Sequence, residues 1–194
     1  MINVLFIGST GYLGSNILKN KKIKNYNITC FEGRVQNKIE FEKYKTDFDQ
    51  VWHFGSTNNK DGEVDYILPG VKNTIEYCNI KNAKLIYAST MGIFTEHKNI
   101  YEENKKISTV MINNSLSLNK RNILLIPRVY SKDRDSGLVK AIKENHKLVN
   151  TTLQFLTIDQ FVDQFFKKIN NIGYAKFNNL HSATTTEIKE WILS

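Results

Sequence analysis

A glycine-rich turn near the start of the chain constrains the fold most strongly. An apolar run at residues 4–7 predicts a buried strand, and the apolar spacing after the turn predicts a helix. Three glycines stand between the two elements, at Gly8, Gly11 and Gly14. A strand, a turn with this glycine spacing and a helix form the arrangement that holds the pyrophosphate of a dinucleotide. The sequence therefore predicts an α/β protein with a dinucleotide site at its first turn.

Each glycine has a physical role in such a turn. Gly8 allows the tight turn out of the strand, Gly11 lets the backbone approach the pyrophosphate, and Gly14 lets the helix pack closely on the sheet. The start of the helix offers free backbone amides to the phosphates. The residues of this turn that we predict to bind the cofactor are Gly8, Thr10, Gly11, Tyr12, Leu13 and Gly14. A purely structural turn and a methyltransferase turn, whose glycines are usually spaced more tightly, are the alternatives.

The rest of the chain alternates between short apolar strands and amphipathic helices, which predicts a Rossmann-like, doubly wound parallel sheet with helices on both faces. Strands are expected at residues 4–7, 28–31, 50–54, 84–88, 123–126 and 152–155, and helices at 13–19, 67–79, 101–118, 138–144, 158–169 and 185–193. No internal repeat or linker divides the sequence, so a single domain is expected over residues 1–194. Beyond Pro127 we expect one strand and three helices, and residues 128–194 would form a reduced substrate-binding part.

Composition excludes several classes of protein. No apolar run is long enough to span a membrane, and the chain begins directly with a strand rather than a secretory signal. Cys30 and Cys78 form neither a disulfide framework nor a metal-ligand pattern, so no metal and a reducing, cytoplasmic setting are expected. The net charge of +8 comes mostly from scattered lysines, and their clusters lack interleaved aromatic residues. We therefore expect neither a membrane nor a nucleic acid as partner.

The residues after the second predicted strand leave the choice of cofactor open between NAD and NADP. Glu32 follows this strand and could hydrogen-bond the ribose hydroxyls of NAD. Arg34 stands two residues later and could pair with the 2′-phosphate of NADP. Both residues are predicted to bind the cofactor.

Further motifs follow in order along the chain. Residues 51–56 form an apolar run that ends in small residues, residues 85–90 form a strand pattern that ends in Ser89-Thr90, and Tyr101 and Lys105 form a Tyr-x-x-x-Lys pair. With the glycine turn, these motifs resemble the extended short-chain dehydrogenase/reductase family, the NAD-dependent epimerases and dehydratases, which act largely on nucleotide-linked sugars. The resemblance implies that Phe54, Gly55 and Ser56 lie near the cofactor.

The resemblance also implies the catalytic roles. Thr90 takes the position of the catalytic Ser/Thr, and Tyr101 exchanges a proton with the substrate oxygen to which Thr90 hydrogen-bonds. Lys105 lowers the pKa of Tyr101 and contacts the nicotinamide ribose. This pairing makes chemical sense, because a tyrosine with its ordinary pKa of about 10 is a poor base at neutral pH and a neighbouring ammonium favours the phenolate. His53, in contrast, is predicted to be a packed or cofactor-adjacent residue.

Two classes of function remain open. The first is an NAD(P)-dependent oxidoreductase or epimerase that acts on a nucleotide-linked or other small sugar. A 4-keto-sugar reductase is one subtype, and a dehydratase ranks lower because Met91 and Gly92 stand where dehydratases usually carry acids. The alternative is a non-catalytic NAD(P)-binding sensor or partner subunit. The resemblance further implies a homodimer through the helices that begin near Ile67 and Tyr101.

One later motif departs from the family pattern. Residues 127–131 resemble its proline, valine and tyrosine motif, but Ser131 replaces the usual glycine.

Overall fold

Two β-sheets organise the structure, a computed structural model that describes residues 1–55, 66–96, 99–134 and 137–194. Within these ranges the strands are β1 (Ile2–Ile7), β2 (Tyr26–Cys30), β3 (Gln50–His53), β4 (Lys84–Thr90), β5 (Arg121–Ile126), β6 (Arg128–Tyr130), β7 (Thr152–Thr157), β8 (Gly173–Lys176) and β9 (His181–Thr184). The α-helices are α1 (Tyr12–Lys19), α2 (Ile67–Lys81), α3 (Ile100–Ser115), α4 (Gly137–Lys143), α5 (Ile158–Lys168) and α6 (Thr185–Leu193). Among the helices of these ranges, none combines the length and apolarity needed to cross a membrane.

The main sheet has six strands in the order β2-β1-β3-β4-β5-β8, and every neighbouring pair is parallel. This confirms the predicted Rossmann-like parallel sheet. The strand order reverses at β1, which lies between β2 and β3. The carboxyl ends of β1 and β3 therefore frame the point at which ligands bind in open α/β sheets.

Helices cover both faces of the main sheet, as predicted, because successive residues of a strand point to opposite faces. Leu5 and Ile7 of β1 pack in a core that includes side chains of α2 and α3. Val4 and Phe6, their neighbours on the same strand, pack in a second core with side chains of α1 and α5. The fully buried central strands thus read as continuous apolar runs, which is why the sequence predicts them.

The part of the chain after Pro127 differs from the prediction. Its described residues, 128–134 and 137–194, contribute four strands, not one, together with the three expected helices. Strands β6, β7 and β9 form a second sheet in that order, in which β7 and β9 are antiparallel, whereas β8 returns to the main sheet beside β5. The missed strands are three or four residues long. Strands this short carry too little pattern to be recognised without their neighbours.

Candidate active site

A cavity of about 380 Å³ opens at the carboxyl edge of the main sheet, beside the point where the strand order reverses. Its walls come from the glycine turn, the ends of β3 and β4, the start of α3 and the segment from β5 to α4. The predicted site residues that line it are Gly8, Gly11, Tyr12, Leu13, Gly14, Phe54, Thr90 and Tyr101. Residues that are far apart in the sequence therefore meet at one cavity.

The glycine turn leaves no room for side chains at two of its positions. Gly8 has a φ of +82°, and a Cβ there would lie 2.4 Å from the backbone nitrogen of Gly55. A Cβ at Gly14 would lie 2.2 Å from the carbonyl oxygen of Gly8. Only glycine allows the left-handed backbone at Gly8 without strain, and only glycine allows the close packing of α1 against the turn at Gly14.

The start of α1 fits a bound pyrophosphate. Gly11 is the N-cap residue, and no side chain caps the helix or places an acid in its first turn. The first amides of a helix have no partner within the helix, and together with the helix dipole they attract anions. Thr10 is exposed beside this turn. The fit to a dinucleotide thus rests on the backbone of Gly11 and of the residues that follow it.

Glu32 and Arg34 lie beyond the end of β2, next to β1, and both side chains are exposed. They are not among the residues that line the cavity. Gly33, between them, has a φ of +113°, and the backbone N–H of Glu32 donates to the hydroxyl of Tyr44 at 2.6 Å. The turn is therefore held by a hydrogen bond from its backbone. Glu32 and Arg34 lie at the same edge of the sheet as the glycine turn.

Ser89 and Thr90 have different surroundings at the end of β4. Ser89 is buried, and its hydroxyl hydrogen-bonds to that of Thr109 at 3.1 Å. Thr90 is only partly buried, and its hydroxyl oxygen accepts from the backbone N–H of Gly92 at 3.1 Å. This acceptor role leaves the hydroxyl proton of Thr90 able to donate a hydrogen bond.

Tyr101 and Lys105 lie on one face of α3 but at different depths. Tyr101 is half-buried at the cavity wall, whereas Lys105 is 1% exposed and does not line the cavity. The Nζ of Lys105 donates to the carbonyl oxygen of Ala88 at 2.6 Å and lies 5.7 Å from the centre of the Tyr101 ring. Burial lowers the pKa of Lys105 to about 7. The ammonium thus lies behind the tyrosine, turned toward the backbone of β4.

His53 is buried at the end of β3 and is held on both sides of its ring. Its Nε2–H donates to the carbonyl oxygen of Gly55 at 2.8 Å, and its Nδ1 lies 2.9 Å from the hydroxyl oxygen of Thr74, which in turn lies 2.8 Å from the carbonyl oxygen of Gly70. Burial, and secondarily the charge of Lys105, lower the pKa of His53 to about 3. The imidazole is therefore neutral and packed, and it fixes the backbone that faces Gly8. Ser56, also predicted to bind the cofactor, lies outside the described residues.

Two arginines at the cavity were not singled out from the sequence. Arg128 lies on β6 and Arg134 follows this strand, and both line the cavity. The motif over residues 127–131 marks this segment, but a three-residue strand gives no sequence signal for the side chains that face the site. Within the described ranges, no group of three or more His, Cys, Asp or Glu side chains is placed to hold a metal ion.

The fold matches those of solved sugar-nucleotide enzymes at low sequence identity. A dTDP-4-dehydrorhamnose reductase from Bacillus anthracis, solved with NADP, superposes with a TM-score of 0.81 at 18% identity, over 99% of this chain and 80% of the reductase. The Bordetella bronchiseptica enzyme WbmG, solved with NAD and UDP, gives 0.80 at 16% identity, over 99% of this chain and 77% of WbmG. A UDP-N-acetylglucosamine 4-epimerase from Bacillus cereus gives 0.76 at 15% identity, over 98% and 83% of the two chains.

The sequence itself matches no protein-family model and no curated protein. The likeness therefore lies in the arrangement of helices and strands. The resemblance to the extended short-chain dehydrogenase/reductase family is confirmed at the level of the fold: the protein has the Rossmann-like α/β fold of these reductases and epimerases.

Proposed function

We propose that the protein is an NAD(P)-dependent oxidoreductase or epimerase that acts on a nucleotide-linked or other small sugar, with 4-keto-sugar reduction as one subtype. One observation carries this proposal: the glycine turn, Thr90 and Tyr101 line a single cavity, and the ammonium of Lys105 lies behind the tyrosine. Two neighbours in fold are a dTDP-4-dehydrorhamnose reductase and a UDP-N-acetylglucosamine 4-epimerase, which supports this substrate class.

The cofactor would bind through the backbone of the glycine turn. The close approach at Gly8 and Gly14 and the uncapped start of α1 support a pyrophosphate there. Phe54 and Gly55 would border the cofactor from the end of β3. When bound, NAD or NADP supplies the hydride chemistry. Glu32 would favour NAD and Arg34 would favour NADP, so the choice between them depends on which side chain meets the adenosine ribose.

Thr90 and Tyr101 would handle the proton at the substrate oxygen. The hydroxyl of Thr90 would donate a hydrogen bond to that oxygen, because its own oxygen already accepts from Gly92. Tyr101 would give a proton to the oxygen during reduction of a ketone, or remove one during oxidation of an alcohol. Such general acid–base catalysis contributes about 10²- to 10⁴-fold to the rate.

Lys105 would tune Tyr101 through charge. A protonated ammonium behind the ring stabilises the phenolate and so makes the tyrosine a better base near neutral pH. Burial lowers the pKa of Lys105 to about 7, so this help depends on pH. In the described structure the ammonium donates to the carbonyl of Ala88, and a contact with the nicotinamide ribose stays a prediction from the family resemblance.

Replacing Tyr101 by phenylalanine tests the proposal. The chain offers a matched control, because Tyr77 and Lys81 form a second Tyr-x-x-x-Lys pair on α2. The hydroxyl of Tyr77 donates to the carbonyl of Tyr44 at 2.9 Å, and burial raises the pKa of Tyr77 to about 12, which makes it a poor base. We expect Tyr101→Phe to lower kcat by about 10²-fold or more and Tyr77→Phe to leave kcat within about threefold of the wild type.

The assay follows the oxidation of NADH or NADPH with dTDP-4-dehydrorhamnose, and epimerisation with UDP-N-acetylglucosamine. Turnover that survives Tyr101→Phe unchanged would show that the proposed acid–base residue is wrong. Binding of the cofactor without turnover of any sugar nucleotide would instead support the non-catalytic sensor or partner subunit. A wild-type protein that binds neither NADH nor NADPH would refute both functions.

We also propose a homodimer through α2 and α3, which pack against each other on one face of the main sheet. Ile107 and Val110 on the outer side of α3 are 46% and 50% exposed, and Ile80 on α2 is 76% exposed. Apolar side chains exposed on neighbouring helices favour burial against a partner. Light scattering coupled to size-exclusion chromatography would give twice the chain mass for the dimer and the chain mass if the proposal is wrong.

A further inference from the structure

Arg134 lies against the glycine turn, although it comes from the segment after β6. The centre of its guanidinium lies 4.7 Å from the centre of the Tyr12 ring, in a cation–π contact. Tyr12 is the first residue of α1, the position at which helix amides meet an anion. Arg134 and Tyr12 both line the cavity. A positive charge thus lies beside the predicted phosphate turn.

Hydrogen bonds between side chains and backbone hold this arrangement in place. The hydroxyl of Tyr12 donates to the Oγ of Ser131 at 2.9 Å, and Nη1 of Arg134 donates to the carbonyl oxygen of Val129 at 2.5 Å. Ser131 occupies the position at which the family motif usually has glycine, and a glycine would have no hydroxyl for Tyr12 to reach. The contact between the two segments therefore depends on a residue in which this chain departs from the family pattern.

The charge of the cavity wall favours an anion. The described residues that line it include two arginines, Arg128 and Arg134, and no carboxylate. A guanidinium carries five N–H donors in a planar fork that matches phosphate oxygens, and Nη1 is the nitrogen of Arg134 that holds the carbonyl oxygen of Val129. Arg128 has a different environment, because its side chain hydrogen-bonds to Tyr130 on the same strand. Arg134 is the arginine that contacts the glycine turn.

We propose that Arg134 is a cofactor-binding residue that donates hydrogen bonds to the pyrophosphate of the bound dinucleotide. Tyr12 positions the guanidinium of Arg134 beside the start of α1, and Ser131 hydrogen-bonds to Tyr12. This inference rests on the proposed NAD(P)-dependent function. The proposed phosphate site is otherwise built from backbone amides. The inference adds a charged contact to that site, from the C-terminal part of the chain.

Binding measurements with Arg134→Gln test this role without relying on turnover. The probes are NADPH, NADH and ADP-ribose, which contain the pyrophosphate of the dinucleotide, AMP, which lacks it, and UDP and dTDP, which carry the diphosphate of the proposed substrate. Binding is measured by isothermal titration calorimetry. We expect the variant to bind the first three about 10- to 100-fold more weakly, which is the loss for a hydrogen bond to a charged group. AMP, UDP and dTDP should bind within about threefold of the wild type. The affinity of the wild type should also fall more steeply with salt than that of the variant.

Two further variants distinguish a direct hydrogen bond from Arg134 to the pyrophosphate from a general attraction by positive charge near the cavity. Lys132→Gln removes an equal charge from an exposed residue that does not line the cavity, and it should leave the affinity for NADPH within about twofold of the wild type. Arg134→Lys keeps the charge but loses the planar fork, so it should bind NADPH with intermediate affinity. It also provides a folded protein if Arg134→Gln proves unstable.

The outcomes distinguish this inference from the proposed function. A wild type that binds none of the dinucleotides would overturn both. A wild type that binds NADPH, with Arg134→Gln and Arg134→Lys binding it equally well, would overturn only the role of Arg134. A loss confined to UDP and dTDP would also overturn that role, because Arg134 would then hold the phosphates of the substrate.

Discussion

Replacing Lys105 by methionine tests how the buried ammonium affects the folded protein. Lys105 is 1% exposed, and burial lowers its pKa from 10.5 to about 7 because a charged group is costly away from water. The unfolded chain therefore binds more protons at this residue than the folded chain between these two values. Stability then rises with pH across this window, and the burial penalty is greatest below pH 7.

The size of this effect follows from the two pKa values. Between pH 7 and pH 8.5, the titration of one lysine with folded and unfolded pKa values of about 7 and 10.5 raises the free energy of unfolding by about 1.5 kcal/mol. Other buried groups change little in this window. His53 has a folded pKa of about 3 against 6.5 unfolded, so its contribution changes below the window. Burial raises the pKa of Cys78 above its ordinary value of 9.0, so its contribution changes above the window.

Urea unfolding at pH 7.0 and pH 8.5, without cofactor, measures the effect. We expect the wild type to be more stable at pH 8.5 by about 1.5 kcal/mol and Lys105→Met to lack this rise. Lys106→Met is the matched control, since Lys106 is the exposed neighbour on α3, and it should behave like the wild type. The difference between the two pH values is the diagnostic quantity, because methionine also leaves the carbonyl of Ala88 without its donor, at a cost of about 1–3 kcal/mol. An equal rise in Lys105→Met and in the wild type would refute the reasoning.

Two further predictions compare neighbouring positions. Gly14→Ala should lower the free energy of unfolding by about 1–3 kcal/mol in urea, because its Cβ would lie 2.2 Å from a backbone oxygen, whereas Gly11→Ala, at 3.3 Å from the same oxygen, should cost clearly less. Equal costs would contradict the close packing of α1. Thr90→Ala should lower kcat by about tenfold or more, whereas Ser89→Ala should leave kcat within about threefold and lower stability by about 1 kcal/mol, since its hydroxyl bonds within the core. Steady-state kinetics would contradict this assignment if Ser89→Ala were the variant with the lower kcat.

Much of the main sheet could be predicted from the sequence because its strands are buried on both faces. The run before Gly8 and the run that ends at Ala88 are continuously apolar, and the glycines mark the turn between β1 and α1. Strand β9 shows the limit of this reasoning. Its residues, His181–Thr184, are exposed or half-buried and carry no alternating apolar pattern, so only pairing with β7 makes them a strand.

The sequence likewise predicts only part of the candidate site. The spacing of Tyr101 and Lys105 predicts that they share a helix face, and they do. The spacing does not predict that the ammonium of Lys105 bonds to the carbonyl of Ala88 and does not line the cavity. Its position depends on the depth at which α3 packs on β4. The sequence does not single out Arg134, because only the tertiary contact with Tyr12 distinguishes it from the many other basic residues of the chain.

The route of the chain between the two sheets has a consequence for shortened forms of the protein. Along the chain, β5 belongs to the main sheet, β6 and β7 to the second sheet, β8 again to the main sheet, and β9 to the second sheet. No single cut between β1 and β9 therefore leaves both sheets whole. A chain that stops before Gly173 would keep the glycine turn, Thr90 and Tyr101, but the outer edge of β5 would lack its partner β8. An unpaired parallel edge of this kind invites association with other chains, so such a fragment should aggregate. During synthesis the same edge of β5 stays unpaired until residues 173–176, which form β8, have left the ribosome.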